Sequence, residues 1–339
     1  MKKLFVPKPS SLGLFLSYKC TSECKHCMYA CSQKWTADWI DEKDLERILS
    51  QLSGSIKPSP YGPKYVSLNY GLHFTGGEPF LNFDLLLKSV KIANDLKIPS
   101  TFVETNCYWC INDEITRKKL TQLKNTGLCG ILISVNPFIL EHVPFERTER
   151  AVKISKEIFG NNVIVYQEFF YHQFRELKIE TALSFENYLE KAGLESLRYV
   201  ELLPMGRLPY KLSHLFRRYQ AKNFFNEYCK DELKREWHVH IDNYSNYMPG
   251  YCGGISLGDA KYLDSISQIN LVEKPILDAL VTSIGKLYEF GVKEFEYKNL
   301  SEGYISKCHL CVDIRKHIAK KTDKFKELRP IEFYHHLQD

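Results

Sequence analysis

The sequence has no apolar run as long as the 18 residues that indicate a membrane-spanning helix. Its basic start, MKKLFVPKPSSLG, does not contain the apolar stretch that a signal peptide requires. Internal repeats and low-complexity segments are missing as well. These absences argue against a membrane or secreted protein, and we expect a globular protein of the reducing cytoplasm.

The excess of charge of either sign is small. Lys and Arg number 46 against 41 Asp and Glu, which gives a formal net charge of +5 over 339 residues. This mild positive balance favours acidic partners but does not by itself indicate nucleic acid. We therefore expect neither a nucleic-acid partner nor a membrane partner, and the hydrophobic fraction of 44% allows a sizeable core.

Cysteine, by contrast, is plentiful. The eleven cysteines are an odd number in a large chain, which argues against a secreted disulfide scaffold. In a reducing compartment, clustered cysteines indicate metal binding or catalysis.

Six strand-like apolar runs alternate with charged, helix-like stretches in the first two thirds of the chain. The runs cover residues 13–18, 70–76, 100–105, 130–135, 162–170 and 198–204. Such alternation predicts an α/β fold with parallel strands joined by crossover helices, as an open doubly wound sheet or a partial barrel. In both architectures, ligands bind at the carboxyl ends of the strands.

The alternation stops near residue 208, where we place a domain boundary. Residues 1–208 are predicted to form the core, and residues 209–339 a smaller α+β domain. Residues 208–237 are predicted as one or two basic helices. The stretch HVHIDNYSNYMPGYC is predicted as a β-hairpin with Asn243 to Asn246 at its turn.

Three cysteines, Cys20, Cys24 and Cys27, follow the first strand in the loop CTSECKHC. Thiolates bind zinc or the iron of iron–sulfur clusters. Three ligands in one short loop fit a cluster in which one iron has no protein ligand. The alternative is a closed zinc site with Cys31 or His26 as its fourth ligand.

A second motif, Gly76-Gly77-Glu78-Pro79, ends the second strand-like run. Two glycines allow a ligand to approach the backbone closely, and Glu78 offers a carboxylate to a cationic ligand. On its own, the motif is an ordinary strand-to-helix turn with Pro79 near the first helical position. In combination with the cysteine loop at the end of the first strand, the motif becomes a specific signal of a functional site.

The two motifs together resemble those of the radical S-adenosylmethionine superfamily, over roughly residues 12–207 as a six-stranded partial barrel, (β/α)6. The resemblance implies that Cys20, Cys24 and Cys27 hold a 4Fe–4S cluster. It implies that the methionyl amino and carboxylate groups of S-adenosylmethionine chelate the open iron. The segment Gly76, Gly77 and Glu78 would then meet the methionyl amine.

The resemblance implies further cofactor contacts, which are Ser134, Glu168, Leu203, Met205 and Gly206. Ser134 matches a position that contacts ribose or the methionyl carboxylate, with a plain strand-end hydroxyl as the alternative. Glu168 is expected on the fifth strand, and Leu203 and Met205 in a segment that packs on adenine. His26 replaces the aromatic residue that usually precedes the third family cysteine and supports adenine.

The C-terminal cysteines resemble those of the SPASM and twitch extensions in the same superfamily. There, a strand pair delivers a cysteine to an auxiliary 4Fe–4S cluster, as Cys252 would do here beside Cys308 and Cys311. Cys229 would complete a four-cysteine, twitch-like set. A four-cysteine zinc site and a three-cysteine cluster without Cys229 are the alternatives.

Four cysteines remain. Cys107 and Cys110 follow the third strand and are candidate hydrogen-atom donors, a redox pair or extra cluster ligands. The alternative is that they are two buried apolar residues. We place Cys129 in the core, and Cys31 at a buried position or beside the cluster ligands.

The resemblance implies an oxidoreductase. The reduced cluster would cleave S-adenosylmethionine to a 5′-deoxyadenosyl radical, which abstracts hydrogen from an unactivated carbon. The electron would come from a flavodoxin or a ferredoxin. We expect oxidative modification of a peptide or protein, because such extensions occur in peptide maturases.

Two other functions stay open. Small-molecule or cofactor biosynthesis is the runner-up, because no winged-helix recognition domain is apparent ahead of the first strand. A non-catalytic zinc or iron–sulfur scaffold is the third.

Overall fold

The computed structural model describes residues 2–36 and 38–339. The strands are β1 (Lys3–Phe5), β2 (Ser11–Ser17), β3 (Gly71–Gly76), β4 (Phe102–Thr105), β5 (Gly130–Ser134), β6 (Val163–Tyr166), β7 (Val239–Ile241), β8 (Tyr247–Met248) and β9 (Gln268–Asn270). The helices are α1 (Glu42–Leu52), α2 (Phe83–Asp95), α3 (Asp113–Thr126), α4 (Pro137–Leu140), α5 (Phe145–Phe159), α6 (Glu168–Glu176), α7 (Phe185–Ala192), α8 (Leu208–Lys211), α9 (Lys230–Leu233), α10 (Leu263–Ile266), α11 (Pro275–Thr282), α12 (Ile284–Phe295), α13 (Lys307–Lys321) and α14 (Glu332–His335).

The chain divides into two compact units. The larger unit consists of Ser10–Cys24 and Cys31–Glu201. The smaller unit consists of the N-terminal stretch up to Pro9, Lys25–Ala30 and Leu202–Asp339. The domain boundary near residue 208 stays a prediction.

Five parallel strands form the sheet of the larger unit, in the order β6-β5-β4-β3-β2. All seven residues of β2 are buried, as is typical of a parallel strand covered on both faces. Helices connect successive strands, because parallel neighbours need crossover connections. The α/β class with a parallel sheet is therefore confirmed.

Side-chain caps fix where the helices after the strands begin. Asp41 caps α1, Asn82 caps α2 and Asn112 caps α3, each through a carboxylate or amide oxygen that accepts a backbone N–H of the first turn. Asn136 caps α4 in the same way. These caps fix the residue at which each helix begins after the carboxyl edge of the sheet.

The predicted sixth strand over residues 198–204 is not formed. Leu194–Tyr199 is a 3₁₀ helix in which Arg198 pairs with Glu195 at 2.7 Å, and Tyr199 is largely exposed. An exposed side chain such as that of Tyr199 gains no packing energy from a strand position. Pro204 has no backbone N–H to donate to a neighbouring strand.

The fifth predicted run is a strand in its first part and the start of a helix in its second part. Strand β6 ends at Tyr166, and α6 begins at Glu168 because Phe170 and Phe174 bury one helical face four residues apart. The prediction that Glu168 lies on the fifth strand was wrong. Its carboxylate is exposed in the first turn of α6, 3.6 Å from His172 Nε2.

The smaller unit contains two antiparallel pairs. Strand β1 pairs with β9, and β7 pairs with β8 in the register His240 with Met248. The Asp242 carboxylate accepts the N–H groups of Tyr244 (3.0 Å) and Asn246 (2.8 Å), which closes the turn. The predicted hairpin and its turn are confirmed.

The prediction of one or two basic helices over residues 208–237 was wrong. Only the single-turn helices α8 and α9 and two short 3₁₀ helices form there. Tyr219 makes an antiparallel bridge with Tyr304, so the backbone at Tyr219 is paired as in a strand rather than helical. Within the described residues, no helix combines the length and the apolar composition that crossing a bilayer requires.

Candidate iron–sulfur and cofactor site

The Gly-Gly-Glu turn is bonded to the backbone that immediately precedes Cys20. Gly77 N–H donates to the Ser17 carbonyl at 2.8 Å, and Glu78 N–H donates to the Lys19 carbonyl at 2.9 Å. A β-carbon on Gly77 would lie 1.9 Å from the Lys19 oxygen, so only glycine fits there. The two sequence motifs of the larger unit are therefore one connected structure.

Glu78 is buried and joins this turn to the end of β4. Its carboxylate accepts the N–H of Asn106 (2.8 Å), the N–H of Phe80 (3.1 Å) and the Thr105 hydroxyl (3.0 Å). Burial raises its pKa to about 7, and the backbone donors of Asn106 and Phe80 oppose that rise. The contact of Glu78 with a methionyl amine stays a prediction.

Asn106 holds the first part of the cysteine loop. Its amide NH₂ donates to the hydroxyls of Ser22 (2.9 Å) and Thr21 (3.0 Å) and lies 3.8 Å from the Cys20 sulfur. Ser22 N–H also donates to that sulfur, at 3.4 Å. Two N–H donors therefore point at this buried sulfur, and such donors stabilise a metal-bound thiolate.

The sequence places Asn106 at the end of the third strand, but its contacts with the cysteine loop were not predicted. The available signal was its position, because an amide directly after the third strand lies at the sheet edge where ligands bind.

The Cys31 thiol donates to the Gly76 carbonyl at 3.4 Å, within the larger unit. Cys31 is buried, as predicted, and Cys24 is half-buried and not in a disulfide. The roles of both cysteines toward a cluster stay predictions.

Cys107 and Cys110 are fully buried, free thiols just beyond β4. Their thiols share a hydrogen bond, and burial together with Cys110 raises the pKa of Cys107 far above its usual range. Cys107 is therefore protonated, and the role of the pair as hydrogen-atom donor stays a prediction. Cys129 is half-buried rather than in the core, with the Thr101 hydroxyl 3.6 Å from its sulfur.

A polar cluster lies on the neighbouring strands β3 and β4. The Thr75 hydroxyl donates to the Glu104 carboxylate at 2.6 Å, and His73 Nε2 lies 3.6 Å from the same group. Burial raises the pKa of Glu104 to about 7, and the Thr75 hydrogen bond opposes that rise. Sequence reasoning missed this cluster, although His73, Thr75 and Glu104 alternate with apolar residues along their strands.

Ser134 ends β5 opposite Tyr166 of β6 and is half-buried. The structure thus places its hydroxyl at the carboxyl edge of the sheet, as predicted from the sequence. Its contact with ribose or a carboxylate stays a prediction.

Cys27 belongs to the segment Lys25–Ala30 of the smaller unit. Its carbonyl accepts the N–H of Arg207 at 3.0 Å, and a β-carbon on Gly206 (φ +59°) would lie 2.4 Å from that carbonyl oxygen. The buried Arg207 guanidinium donates to the Ala30 carbonyl at 2.8 Å. The segment after residue 202 carries the half-buried residues Leu203 and Met205. Its contacts with the Cys27 carbonyl hold it beside the third cysteine of the loop.

His26 precedes Cys27 in the same segment. Burial, and secondarily the charge of Arg207, lower its pKa to about 4. The imidazole is therefore neutral at physiological pH, which suits the predicted role of a ring that supports adenine.

The four C-terminal cysteines lie near one another in the smaller unit. Cys308 and Cys311 occupy the first turns of α13, which begins where the Ser306 hydroxyl accepts the His309 N–H at 3.0 Å. Burial, and secondarily the charges of Cys252 and Cys311, raise the pKa of Cys308 to about 12. Burial likewise raises the pKa of Cys252 to about 11. The amino end of a helix favours anionic thiolates.

Two positively charged side chains lie beside these thiols. Arg315 is buried and donates to the Cys311 sulfur at 3.3 Å and to the Gly253 carbonyl at 3.0 Å. Lys307 donates to the Glu232 carboxylate at 2.9 Å; burial alone would lower its pKa, but the hydrogen bond to Glu232 raises it. Sequence reasoning missed Arg315, although its spacing of four residues after Cys311 puts both on one helix face.

A family model described as a 4Fe–4S single cluster domain matches residues 11–141. This range includes the three loop cysteines and the Gly-Gly-Glu motif, so the predicted iron–sulfur domain is confirmed. A comparison with curated proteins finds no match.

Three solved structures show similarity at low identity. Native anSMEcpe with bound AdoMet is 14% identical, with a TM-score of 0.45, over 97% of this chain and 96% of that chain. BtrN in complex with AdoMet and 2-DOIA is 14% identical, with a TM-score of 0.40, over 77% and 83%. Streptococcus suis SuiB bound to precursor peptide SuiA is 15% identical, with a TM-score of 0.32, over 96% and 76%. Since these TM-scores lie below 0.5, function is inferred from the residues and the family match.

Proposed function

We propose that this iron–sulfur enzyme of the radical S-adenosylmethionine kind binds its catalytic 4Fe–4S cluster through Cys20, Cys24 and Cys27. The observation that carries the proposal is the joining of the two motifs in the larger unit. The Gly-Gly-Glu turn is bonded to residues 17–19, and Asn106 and Ser22 aim donors at the Cys20 sulfur. When bound, the cluster and S-adenosylmethionine supply a 5′-deoxyadenosyl radical by one-electron reductive cleavage.

The residues of the chain bind and orient these groups. Glu78, Gly76 and Gly77 form the turn that would receive the methionyl amine. Asn106 supports the Cys20 thiolate by donating its amide hydrogens to the loop. Neutral His26 would cover the adenine from the side of Cys27, with Leu203 and Met205 nearby in the chain.

An auxiliary 4Fe–4S cluster at Cys229, Cys252, Cys308 and Cys311 is the second part of the proposal. Within the described residues, no three of these sulfurs lie within 4.8 Å of one another. Tetrahedral zinc with bonds of about 2.3 Å brings its sulfur ligands to about 3.8 Å, which is closer. The wider spacing favours a cluster over a single zinc ion, and Arg315 and Lys307 supply the balancing positive charge.

We propose a peptide or protein as the substrate, oxidised at an unactivated carbon. The resemblance of the C-terminal cysteines to the SPASM and twitch extensions, which occur in peptide maturases, supports this choice. A small molecule is the second candidate. A flavodoxin or ferredoxin of the cytoplasm is the proposed electron donor.

The test is anaerobic reconstitution of the full chain, followed by iron and sulfide counts and an assay for 5′-deoxyadenosine after addition of dithionite and S-adenosylmethionine. We expect about eight irons per chain and turnover. Cys20→Ala should abolish cleavage. Cys31→Ala is the matched control and should leave cleavage largely intact, because its thiol is used by the Gly76 carbonyl. Zinc in place of iron, with no 5′-deoxyadenosine, contradicts the proposal.

A further inference from the structure

An open cavity of about 640 Å³ lies in the smaller unit, between the turn of the β7–β8 hairpin and the C-terminal stretch. Its walls include Tyr244 and Asn246 of the turn, Ser256, and three basic residues. This volume lies within the range of small-ligand sites, about 300–1,000 Å³. None of the cysteines or cofactor contacts assigned above lines it.

The three basic residues of the cavity are Lys274, Lys326 and Arg329. Within the described part of the chain, no carboxylate lies within ion-pair distance of any of them, unlike Lys2, Lys88 and Lys307, which each have such a partner. Arg329 donates one of its five side-chain N–H groups to the Asp323 carbonyl at 2.9 Å. These three cations outnumber the two carboxylates of the cavity wall, so the lining has an excess of positive charge.

The two acidic residues of the wall do not correct this imbalance. Asp259 accepts the Lys261 N–H at 2.9 Å and lies 3.9 Å from the Lys261 ammonium. Glu332 lies 3.1 Å from His336 Nε2. Both carboxylates are directed to partners on their own segments, so an anionic ligand would face the free cations.

We propose that this cavity binds an anionic ligand that carries two or more carboxylate or phosphate groups. Lys274, Lys326 and Arg329 contact the anionic groups, because guanidinium and ammonium groups are the preferred partners of such oxyanions. The exposed ring of Tyr244 offers an apolar wall for the body of the ligand. The ligand is either a free polyanion or an acidic stretch of peptide. The proposal is independent of the proposed function.

The experiment measures binding to the reconstituted full chain by isothermal titration calorimetry at low salt. The probes are citrate, inorganic pyrophosphate, a tetra-glutamate peptide and a tetra-glutamine peptide. The variant Lys274→Gln/Lys326→Gln removes two of the cations. Lys293→Gln/Lys298→Gln is the matched control, because it removes the same charge from exposed sites of the same unit outside the cavity.

We expect wild type and control to bind at least one anionic probe with a dissociation constant below about 1 mM, and the cavity variant to bind at least tenfold more weakly. Binding of citrate or pyrophosphate alone identifies a free anion, and binding of tetra-glutamate but not tetra-glutamine identifies an acidic peptide. Equal binding by the cavity variant and the control overturns the proposal, as does failure of every anionic probe to bind. Formation of 5′-deoxyadenosine, measured in parallel, reports on the proposed function separately.

Discussion

At the scale of single residues, the two glycines of the Gly-Gly-Glu motif act on the protein's own backbone. Sequence reasoning assigned them to the close approach of a ligand. In the structure, the space beside Gly77 is filled by the Lys19 carbonyl, two residues from the end of β2. The glycine thus fixes the position of the cysteine loop. The fold needs this close packing whether or not a cofactor is bound.

Gly77→Ala tests this constraint. The added methyl group would clash with a backbone carbonyl, which cannot rotate away as a side chain can. We expect a loss of about 3 kcal/mol, the upper end for an inserted methyl group in a packed site. The measurements are thermal unfolding of the apo chain and iron content after reconstitution.

Gly54→Ala is the control, because no atom lies within 4 Å of its added β-carbon. It should change stability by no more than about 0.5 kcal/mol. If both variants unfold at the same temperature as wild type, the close packing at Gly77 is not a constraint.

Glu104 predicts a pH dependence of stability. Its pKa is raised by burial from 4.5 to about 7, so the folded chain holds this proton more tightly than the unfolded chain. The stability that it contributes is therefore full below about pH 4.5 and is lost as the pH rises through about 7. Glu104→Gln has no proton to lose, so apo wild type should lose stability relative to this variant between about pH 5 and pH 8.

Thermal unfolding over that pH range gives the comparison. The exposed Glu190→Gln serves as the control and should run parallel to wild type. A wild-type curve parallel to that of Glu104→Gln would show that Glu104 is ionised in both the folded and the unfolded chain.

At the scale of elements, helix α13 organises the C-terminal cysteines. It carries Cys308 and Cys311 in its first turns and Arg315 one turn later, with the Ser306 hydroxyl as its cap. One helix thereby presents two thiols, its amino-terminal dipole and a buried cation to the same place. This arrangement follows from a spacing of three and then four residues.

Ser306→Ala removes the cap of this helix. We expect a loss of about 1 kcal/mol in folding stability and a lower occupancy of the auxiliary cluster, because the first turn that positions Cys308 would fray. Ser283→Ala removes the equivalent cap of α12 and should cost similar stability with the cluster intact. Chemical denaturation and the iron count separate the two effects; equal iron loss in both variants would rule out a specific role of α13.

At the scale of the whole molecule, the net charge of +5 bears on the electron donor. A positive chain attracts an acidic flavodoxin over long range, and salt screens such attraction, with a Debye length of about 10 Å at 0.1 M. We expect the rate of 5′-deoxyadenosine formation driven by flavodoxin to fall severalfold between low and moderate salt.

Photoreduced deazaflavin, which is not an acidic protein, is the control donor. Its rate should change little over the same salt range. A flavodoxin-driven rate that does not respond to salt would show that long-range charge does not guide this encounter.

The sequence alone determined the chemistry that depends on residue type and short spacing. The cysteine loop, the Gly-Gly-Glu motif, five of the six strands and the hairpin turn are all local patterns, and local periodicity and turn residues decide them. The sixth strand, the basic helices and the position of Glu168 failed because tertiary contacts overrode a weak local preference.

Only the tertiary structure decided which groups meet. Asn106 lies 86 residues from Cys20, and Glu78 accepts hydrogen bonds from the end of a different strand. The cavity joins Lys274 to the separate segment that carries Lys326 and Arg329. Burial also shifts the pKa values of Glu78, Glu104 and His26, which no linear pattern encodes. These properties depend on distances across the fold, and a sequence specifies such distances only once the chain has packed.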